Sequence, residues 1–193
     1  ALNHYTTVPN LPPTPGYDDD GNATAYPVPA APTQNATLVW DGENRLVSAT
    51  VGGTVTTYQY DALGRRIAQT IGSTRAVALY DGWNCIGEYE GAANTLHATN
   101  TWGLDLSGSF QGAGGVGGLL QVRYITGPAL GIYRPLYDGN GNITEYLNAS
   151  GTVAAHYEYD PFGRIFNSSG ALKDSFIYRF STKPLDAATG LYY

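Results

Sequence analysis

The chain has 193 residues, of which 10 are basic and 16 acidic, and a net charge of −6, a size that fits one domain or a piece of a larger protein. Nucleic acids and anionic membranes attract clustered Lys and Arg, so neither is predicted as a partner. The single cysteine, Cys85, excludes an internal disulfide, and no apolar run of about 18 residues predicts a membrane span.

The first predicted element is an extended arm at residues 1–16, which precedes a repeat domain at 17–193. Its sequence begins with a strand-like LNHYTTV and ends in a proline-rich stretch, which favours a stiff, extended conformation. The arm is either a frayed linker or a strand that pairs elsewhere, for instance on a neighbouring chain. The residues of this possible assembly strand are Leu2, His4, Tyr5 and Val8.

The rest of the chain repeats one short motif: an aromatic residue, Asp, two further residues, then Gly or Asn. The copies read YDDDG, WDGEN, YDALG, YDGWN, YDGNG and YDPFG, and WG at 102–103 is a degenerate copy. Asp at the first position of a β-turn accepts a hydrogen bond from the backbone, and Gly or Asn at the fourth tolerates a left-handed conformation. Each copy is therefore predicted to be a structural turn between two strands. The turn residues are Asp18 and Gly21, Asp41 and Asn44, Asp61 and Gly64, Asp81 and Asn84, Asp138 and Gly141, and Asp160 and Gly163.

The spacing of the aromatic residues predicts the architecture. The intervals are 23, 20, 20, 22, 35 and 22 residues, and the long one contains a Gly-rich insertion at about 103–136. A period near 20 leaves room for two strands of about 5–6 residues and two turns. The predicted fold is therefore all-β, an antiparallel sheet built from a run of hairpins.

Four segments together resemble the YD-repeat, or rearrangement-hotspot (RHS), family, including its core-domain ending, over about residues 17–193. They read WDGENRLVSAT, YDALGRRIAQT, YDGNGNITEYLNASGTVAAHYEYDPFGRI and RFSTKPLDAATGLYY. The resemblance implies a spiralling sheet that forms a partial shell or barrel-like wall. Such walls occur in the cocoons of insecticidal toxin complexes, in polymorphic bacterial toxins and in animal teneurins.

The Gly-rich insertion contains a G-x-G-x-x-G motif at Gly112, Gly114 and Gly117. A dinucleotide site would need a preceding strand, a following helix and an acidic residue about 20 positions on. The glycines run on through Gly118, and no helix pattern follows. We therefore interpret the motif as a loop that crosses the sheet, without a cofactor.

Metal and catalytic motifs are also absent from the pattern. Asp138, Asn140 and Asn142 imitate the start of a calcium loop, but Ile143 stands where Gly is required and Ala149 where Glu is required. The three histidines lie far apart in sequence, and no Ser or Cys lies in a nucleophile elbow. No catalytic, cofactor-binding or metal-binding residue is predicted.

Toxin-type members of the family that this chain resembles end with a self-cleaving aspartyl motif. It has the form DPxGxxxG followed by a YVxNxP-like segment. Asp160, Pro161, Phe162 and Gly163 match its first four letters, but the next glycine is Gly170 and no YVxNxP-like segment follows. The paired acids that such cleavage needs cannot be identified. Self-cleavage within this chain is not predicted.

The sequence is thus interpreted as a non-enzymatic, bacterial structural protein, secreted to an extracellular or cell-surface assembly. In one form of this hypothesis the chain self-associates into a fibre or tube by β-edge pairing or strand addition. In another it is an excised fragment of a shell that encloses a toxin domain. A third alternative is a module whose tyrosine-rich face binds carbohydrate, because aromatic rings suit sugar stacking.

Overall fold

The computed structural model of the chain describes residues 15–28 and 31–193, with backbone only for 31–33. The possible assembly strand of the arm, with Leu2, His4, Tyr5 and Val8, lies outside the described residues. Within them, no helix is long and apolar enough to cross a membrane.

The described residues form fourteen strands, and the order of the strands in the sheet is their order in the chain. Neighbouring strands with a defined residue pairing are antiparallel. For example, Thr56 lies opposite Ile71 and Glu145 lies opposite His156. The predicted all-β antiparallel fold is therefore confirmed. The strands are β1 (Gly16–Tyr17), β2 (Ala23–Val28), β3 (Ala31–Trp40), β4 (Leu46–Val51), β5 (Thr54–Tyr60), β6 (Arg66–Ile71), β7 (Thr74–Asp81), β8 (Asn84–Glu90), β9 (Thr95–Trp102), β10 (Leu119–Tyr124), β11 (Gly131–Tyr137), β12 (Ile143–Asn148), β13 (Val153–Tyr159) and β14 (Ile165–Ser169).

The Gly-rich insertion is more ordered than its sequence suggests. Its later part forms β10 and most of β11, a hairpin closed around residues 125–130. The irregular part is limited to 103–118, and a hydrogen bond from Gly103 N to Gly118 O (2.8 Å) closes it as a loop between β9 and β10.

The described chain divides into two compact units. The first runs to Ala76 and includes Ala187–Leu191, and the second consists of Val77–Asp186 and Tyr192–Tyr193. The core of the first unit lies on one face of its strands, because side chains alternate between the two faces. Val39 and Val55 are about half exposed on the other face. The buried residues of this core are Val28, Ala36, Leu38, Ala49 and Tyr58.

The second unit has a larger and more aromatic core. Phe176, from the segment that follows β14, is 1% exposed, and its ring stacks on Tyr146 with centroids 3.9 Å apart. The hydroxyls of Tyr146 and Tyr157 donate to the carbonyls of Tyr178 (2.9 Å) and Lys173 (2.6 Å) in the same segment. Buried tyrosines need such partners, so the core tyrosines also fix this segment on the sheet.

Candidate functional site: repeat turns and the glycine-rich loop

The turn at Asp61 shows how one repeat is built. Asp61 Oδ1 accepts hydrogen bonds from the backbone N–H groups of Leu63 (2.9 Å) and Arg65 (3.0 Å). Gly64 donates its N–H to the Asp61 carbonyl (3.0 Å) and has a φ of 79°, where glycine is favoured. Arg65 Nε donates to the second carboxylate oxygen, Oδ2 (2.7 Å). Burial alone would raise the pKa of Asp61, but these bonds outweigh it and lower the pKa.

Five of the six predicted turns share this arrangement. In each, the Asp carboxylate accepts the N–H groups two and four residues later, and the fourth residue has a positive φ. The fifth residue, Arg or Asn, donates its side chain to the same carboxylate. This fifth position is not part of the motif predicted from the sequence, and it is occupied by Asn22, Arg45, Arg65, Asn142 and Arg164.

The sixth copy departs from the prediction for Asp81 and Asn84. Asp81 is the last residue of β7 and Asn84 the first of β8, so the turn is made by Gly82 and Trp83 alone. Gly82 adopts a φ of 55°, which permits this shorter turn. Gln111, from the glycine-rich loop, binds the Trp83 N–H (2.8 Å) and the Asp81 carbonyl (3.0 Å).

Five of the aromatic residues that mark the repeats tie two strands together. Tyr60, at the end of β5, donates its hydroxyl to the carbonyl of Leu46, the first residue of β4 (2.7 Å). A bulge lies beside it, because Gln59 is opposite Ala68 while Tyr60 is opposite Arg66. Trp40, Trp102, Tyr137 and Tyr159 make the same contact with carbonyls at or next to the start of a strand, 16 to 18 residues earlier. We call these contacts the aromatic ties.

The glycine-rich loop, 103–118, is organised by Asp105. Asp105 Oδ1 accepts hydrogen bonds from the N–H (2.9 Å) and hydroxyl (2.6 Å) of Ser107. Its Oδ2 accepts the N–H groups of Ala113 (2.7 Å) and Gly115 (3.1 Å), far along the loop. Gly108 donates to the Asp105 carbonyl and has a φ of 74°, so D-L-S-G is a repeat turn without its aromatic residue.

The carboxylate of Asp105 is strongly stabilised as an anion. The residue is 5% exposed. The Ser107 hydroxyl, followed by the backbone N–H groups, lowers the pKa of Asp105 to about 2 against the opposing effect of burial. The loop therefore wraps an internal carboxylate in donors, and the N–H groups of Gly112, Gly114 and Gly117 donate to Ser109 Oγ, the Gln111 carbonyl and Thr182 Oγ1.

A second segment, Arg179–Lys183, holds this loop against the turn at Asp138. The Thr182 hydroxyl donates to Gly141 O (2.8 Å) and accepts the Gly117 N–H (2.8 Å). Lys183 Nζ donates to Gly114 O (2.7 Å). Ser181, with a φ of 49°, and Thr182, with 54°, adopt a left-handed conformation that is unfavourable for such residues. We call this segment the clamp.

Two turns and the clamp escaped the sequence analysis. Asn148 closes a turn with Gly151 in the manner of the repeat aspartates, through N–H groups of Ser150 (3.0 Å) and Thr152 (2.9 Å). The turns at Asn148 and Asp105 share one sequence signal. It is an Asp or Asn three residues before a Gly, without a preceding aromatic residue. Within 15–28 and 31–193, no three His, Cys, Asp or Glu side chains form a set that could hold a metal ion.

These repeated turns, aromatic ties and chain-ordered strands define a hairpin-repeat β protein. Two segments, residues 40–76 and 137–169, match the RHS repeat family. The chain therefore contains RHS repeats, and the family prediction made from the sequence is confirmed.

Curated relatives are similar in sequence to this chain over most of its length. It is 30% identical to the tRNA3(Ser)-specific nuclease WapA of Bacillus spizizenii over 183 residues, 92% of this chain and 7% of that protein. The tRNA nuclease WapA of Bacillus subtilis matches with the same identity and coverage. The chain thus spans about 7% of the length of these relatives.

Solved structures share the fold. A crystal structure of TcdB2–TccC3–Cdc42 matches with a TM-score of 0.63 and 18% identity, over 92% of this chain and 9% of that one. A Tc holotoxin pore of Photorhabdus luminescens matches with a TM-score of 0.53 and 15% identity, over 93% of this chain and 11% of that one. At such identities the likeness establishes the fold.

Proposed function

We propose that this chain is a non-enzymatic segment of the wall of a secreted RHS-type assembly that encloses a toxin domain. The observation that carries the proposal is that the polar groups of the repeats form hydrogen bonds within the chain itself. The carboxylates of Asp41, Asp61 and Asp160 and the aromatic ties all bind the chain's own backbone or an adjacent Arg. Catalysis needs a nucleophile, base or metal that is free to meet a substrate, whereas a wall needs repeats that hold themselves together.

The fold likeness to TcdB2–TccC3 toxin structures supports a wall role. Carbohydrate binding by a tyrosine face has less support. Tyr133, Tyr146 and Tyr157 are at most 6% exposed, so their faces are not available for a sugar to stack on.

Because WapA relatives are named tRNA nucleases, the non-enzymatic proposal is tested with tRNA. The full chain is incubated with total tRNA and Mg²⁺ and the RNA is examined on a denaturing gel. We expect no cleavage above a protein-free control. Cleavage that follows the chain through a second purification, at a constant specific activity, would contradict the proposal.

A second candidate function, self-association into a fibre, is favoured by the edge at β14. Within the described residues this strand has a strand neighbour on one side only, β13. Phe166 on β14 is 62% exposed. An open edge with an apolar side chain is a template for pairing with another strand, here one from a second copy.

The edge is tested by placing a charge on it. Lysine on an edge strand discourages pairing, so Phe166→Lys is expected to abolish concentration-dependent association in sedimentation velocity. Phe162→Lys is the matched control, since Phe162 is 91% exposed but lies in the neighbouring turn. Wild-type particles that stay monomeric at all concentrations would contradict self-association, and association that survives Phe166→Lys would show that the β14 edge is not the joint. Electron microscopy then distinguishes long fibres from discrete particles.

A further inference from the structure

The last residue of the Asp138 turn, Gly141, lies where the glycine-rich loop and the clamp meet. Its carbonyl accepts the Thr182 hydroxyl (2.8 Å), and its N–H donates to the Asp138 carbonyl (3.1 Å). A Cβ placed on it would lie 2.5 Å from Val116 Cγ1 and 3.2 Å from Gly117 N. Gly141 is buried by these contacts, so its backbone has little room to move while the clamp is closed.

The residue before Gly141 faces solvent. Asn140 is exposed, and its backbone N–H donates to Asp138 Oδ1 (2.9 Å). The side chain of Asn142, on the other side of Gly141, is buried instead: its Nδ2 donates to Asp138 Oδ2 (2.8 Å) and its Oδ1 accepts the Ser181 N–H (2.8 Å). Asn140 is also the only Asn in the sequence that is followed by Gly. The turn under the clamp therefore contains the one Asn–Gly step of the chain.

An Asn–Gly step can modify itself without an enzyme or a cofactor. The backbone nitrogen of Gly bonds to the side-chain carbonyl carbon of Asn, which glycine allows because it has no Cβ and rotates freely. A cyclic imide closes as the side-chain amide C–N bond breaks, and ammonia leaves with the proton of the backbone N–H. Water then opens the imide. Opening at the side-chain carbonyl gives Asp, whereas opening at the backbone carbonyl gives isoaspartate, whose backbone is longer by one methylene.

The closed turn opposes this reaction at Asn140. The attacking nitrogen belongs to Gly141, and its hydrogen bond to the Asp138 carbonyl must break before the nitrogen can reach the side chain of Asn140. The loop adds a second barrier, because the backbone cannot rotate about Gly141 while Val116 is packed on it. Both barriers fall when the clamp opens locally and the rest of the unit stays folded. The rate of modification therefore depends on how often the clamp opens.

We propose that Asn140 and Gly141 form a one-way latch on the clamp. When the clamp opens, the step converts through the imide to isoaspartate. The added methylene displaces Gly141 from its packed position, so its carbonyl no longer meets the Thr182 hydroxyl and the clamp cannot close again. The glycine-rich loop then stays released. This latch does not depend on whether the wall encloses a toxin domain.

Peptide mapping by mass spectrometry tests whether the clamp controls the reaction. The full chain is kept folded at mildly alkaline pH, and replacement of the Asn140 amide by a carboxyl group is followed with time. Thr182→Val weakens the clamp and is expected to speed conversion about tenfold. Thr144→Val is the matched control, since its hydroxyl makes a single long bond to the Leu136 carbonyl (3.4 Å), and it should convert at the wild-type rate. Equal rates in the two variants, or folded Thr182→Val that stays unmodified while the urea-unfolded chain converts, would overturn the latch.

Leu63→Asn places the same Asn–Gly step in a turn that the clamp does not contact. Leu63 is 64% exposed, its N–H donates to Asp61 Oδ1 (2.9 Å), and Gly64 has a φ of 79° against 77° at Gly141. A Cβ at Gly64 meets nothing within 4 Å, so no loop restrains that turn. We expect position 63 to convert faster than Asn140 in the same molecule. A rate at position 63 equal to or below that at Asn140 would overturn the role of the clamp.

A second measurement tests whether the modified clamp stays open. The isoaspartate form of wild type carries an added negative charge and is separated from the unmodified chain by ion exchange. Its Gly117 N–H, which donates to the Thr182 hydroxyl (2.8 Å), should lose protection from hydrogen exchange, and the melting temperature of the second unit should fall by about 4–8 °C. Asn140→Asp adds the charge without the longer backbone and should keep that protection. An isoaspartate form in which Gly117 stays protected would overturn the latch.

Discussion

The turns at Asp61 and Asp105 begin in the same way and end differently. In both, Oδ1 of the aspartate accepts the N–H two residues later. At Asp61 the second oxygen takes the side chain of Arg65, four residues away, whereas at Asp105 it takes the N–H groups of Ala113 and Gly115. One local motif therefore serves either as a self-contained turn or as the anchor of a long loop.

The difference has an energetic consequence. A guanidinium on a flexible side chain is partly solvated, so its ion pair with Asp61, at 2.6 Å, stabilises the turn only modestly. Backbone N–H groups inside a loop have no such freedom, and they lack a partner when the carboxylate is removed. The two sites thus predict unequal responses to the same substitution.

The largest expected effect is that of Asp105→Ala compared with Asp61→Ala. Removing the Asp105 carboxylate deprives three backbone N–H groups and the Ser107 hydroxyl of their acceptor. We expect the melting temperature of the second unit to fall by about 8 °C, against about 3 °C for the first unit in Asp61→Ala. Calorimetry measures both, and hydrogen exchange should show lost protection at Ala113 and Gly115. Equal shifts would contradict the distinction between anchor and turn.

Gly141→Ala compared with Gly64→Ala should give the next largest effect. Both glycines have positive φ, 77° and 79°, so each alanine is strained by about 1–2 kcal/mol. A Cβ at Gly64 meets nothing within 4 Å, but one at Gly141 lies 2.5 Å from Val116 Cγ1 and 3.2 Å from Gly117 N. Overpacking adds about 1–3 kcal/mol at Gly141 alone. The free energy of unfolding of both variants is measured in urea. Equal losses for the two variants would show that the loop accommodates the added methyl group without strain and would contradict this prediction.

Thr182→Val should lower stability less, by about 2 kcal/mol, because the Gly141 carbonyl and the Gly117 N–H both lose their hydroxyl partner in a residue that is 3% exposed. Thr144→Val is the control. Its hydroxyl makes a single long bond to the Leu136 carbonyl (3.4 Å) at an exposed site. Denaturant unfolding should barely distinguish Thr144→Val from wild type. A comparable loss at both sites would remove the case for the clamp.

The smallest effect is expected when the pH is lowered, and it concerns the Asp105 carboxylate. The pKa of Asp105 is lowered to about 2, so its contribution is fully present above the unfolded value near 3.8 and is lost as the pH falls through about 2. The amide NMR signals of Ala113 and Gly115 should therefore stay constant down to about pH 3 and move only below it. Asp105→Asn should abolish that movement. Signals that move already near pH 4 would place the Asp105 pKa at its ordinary value.

The sequence predicted the fold because the information for each hairpin is local. Asp61, Gly64 and Arg65 make a complete turn within five residues, and an aromatic residue before Asp recurs at a steady interval. Asp105 and Asn148 escaped because each lacks the aromatic residue that marks a repeat. The Gly82 turn differed because Gly82 adopts a positive φ, which Gly42 and Gly139 at the same position of the Asp41 and Asp138 copies do not, and the motif does not distinguish the three glycines.

The clamp and the bond between Asn100 and Tyr178 could not be predicted in the same way. Thr182 contacts Gly141 and Gly117 across 41 and 65 residues, and Asn100 contacts Tyr178 across 78. Such contacts depend on which strands the chain brings together, and neither Thr182 nor Asn100 stands in a pattern that marks it. Local turn chemistry thus determines the repeats, while the contacts that join them become visible only in three dimensions.

The aromatic ties have a consequence for how the chain is made. Each tie joins residues only 14 to 18 positions apart. The strands also pair with the strands next to them in sequence. Low contact order favours rapid folding, and domains that emerge from the ribosome fold from the N-terminal end. Each of the five tied hairpins can therefore be closed by its own Tyr or Trp shortly after synthesis, and the next strand meets an already finished edge. Growth of the sheet becomes vectorial, with the ribosome setting its direction.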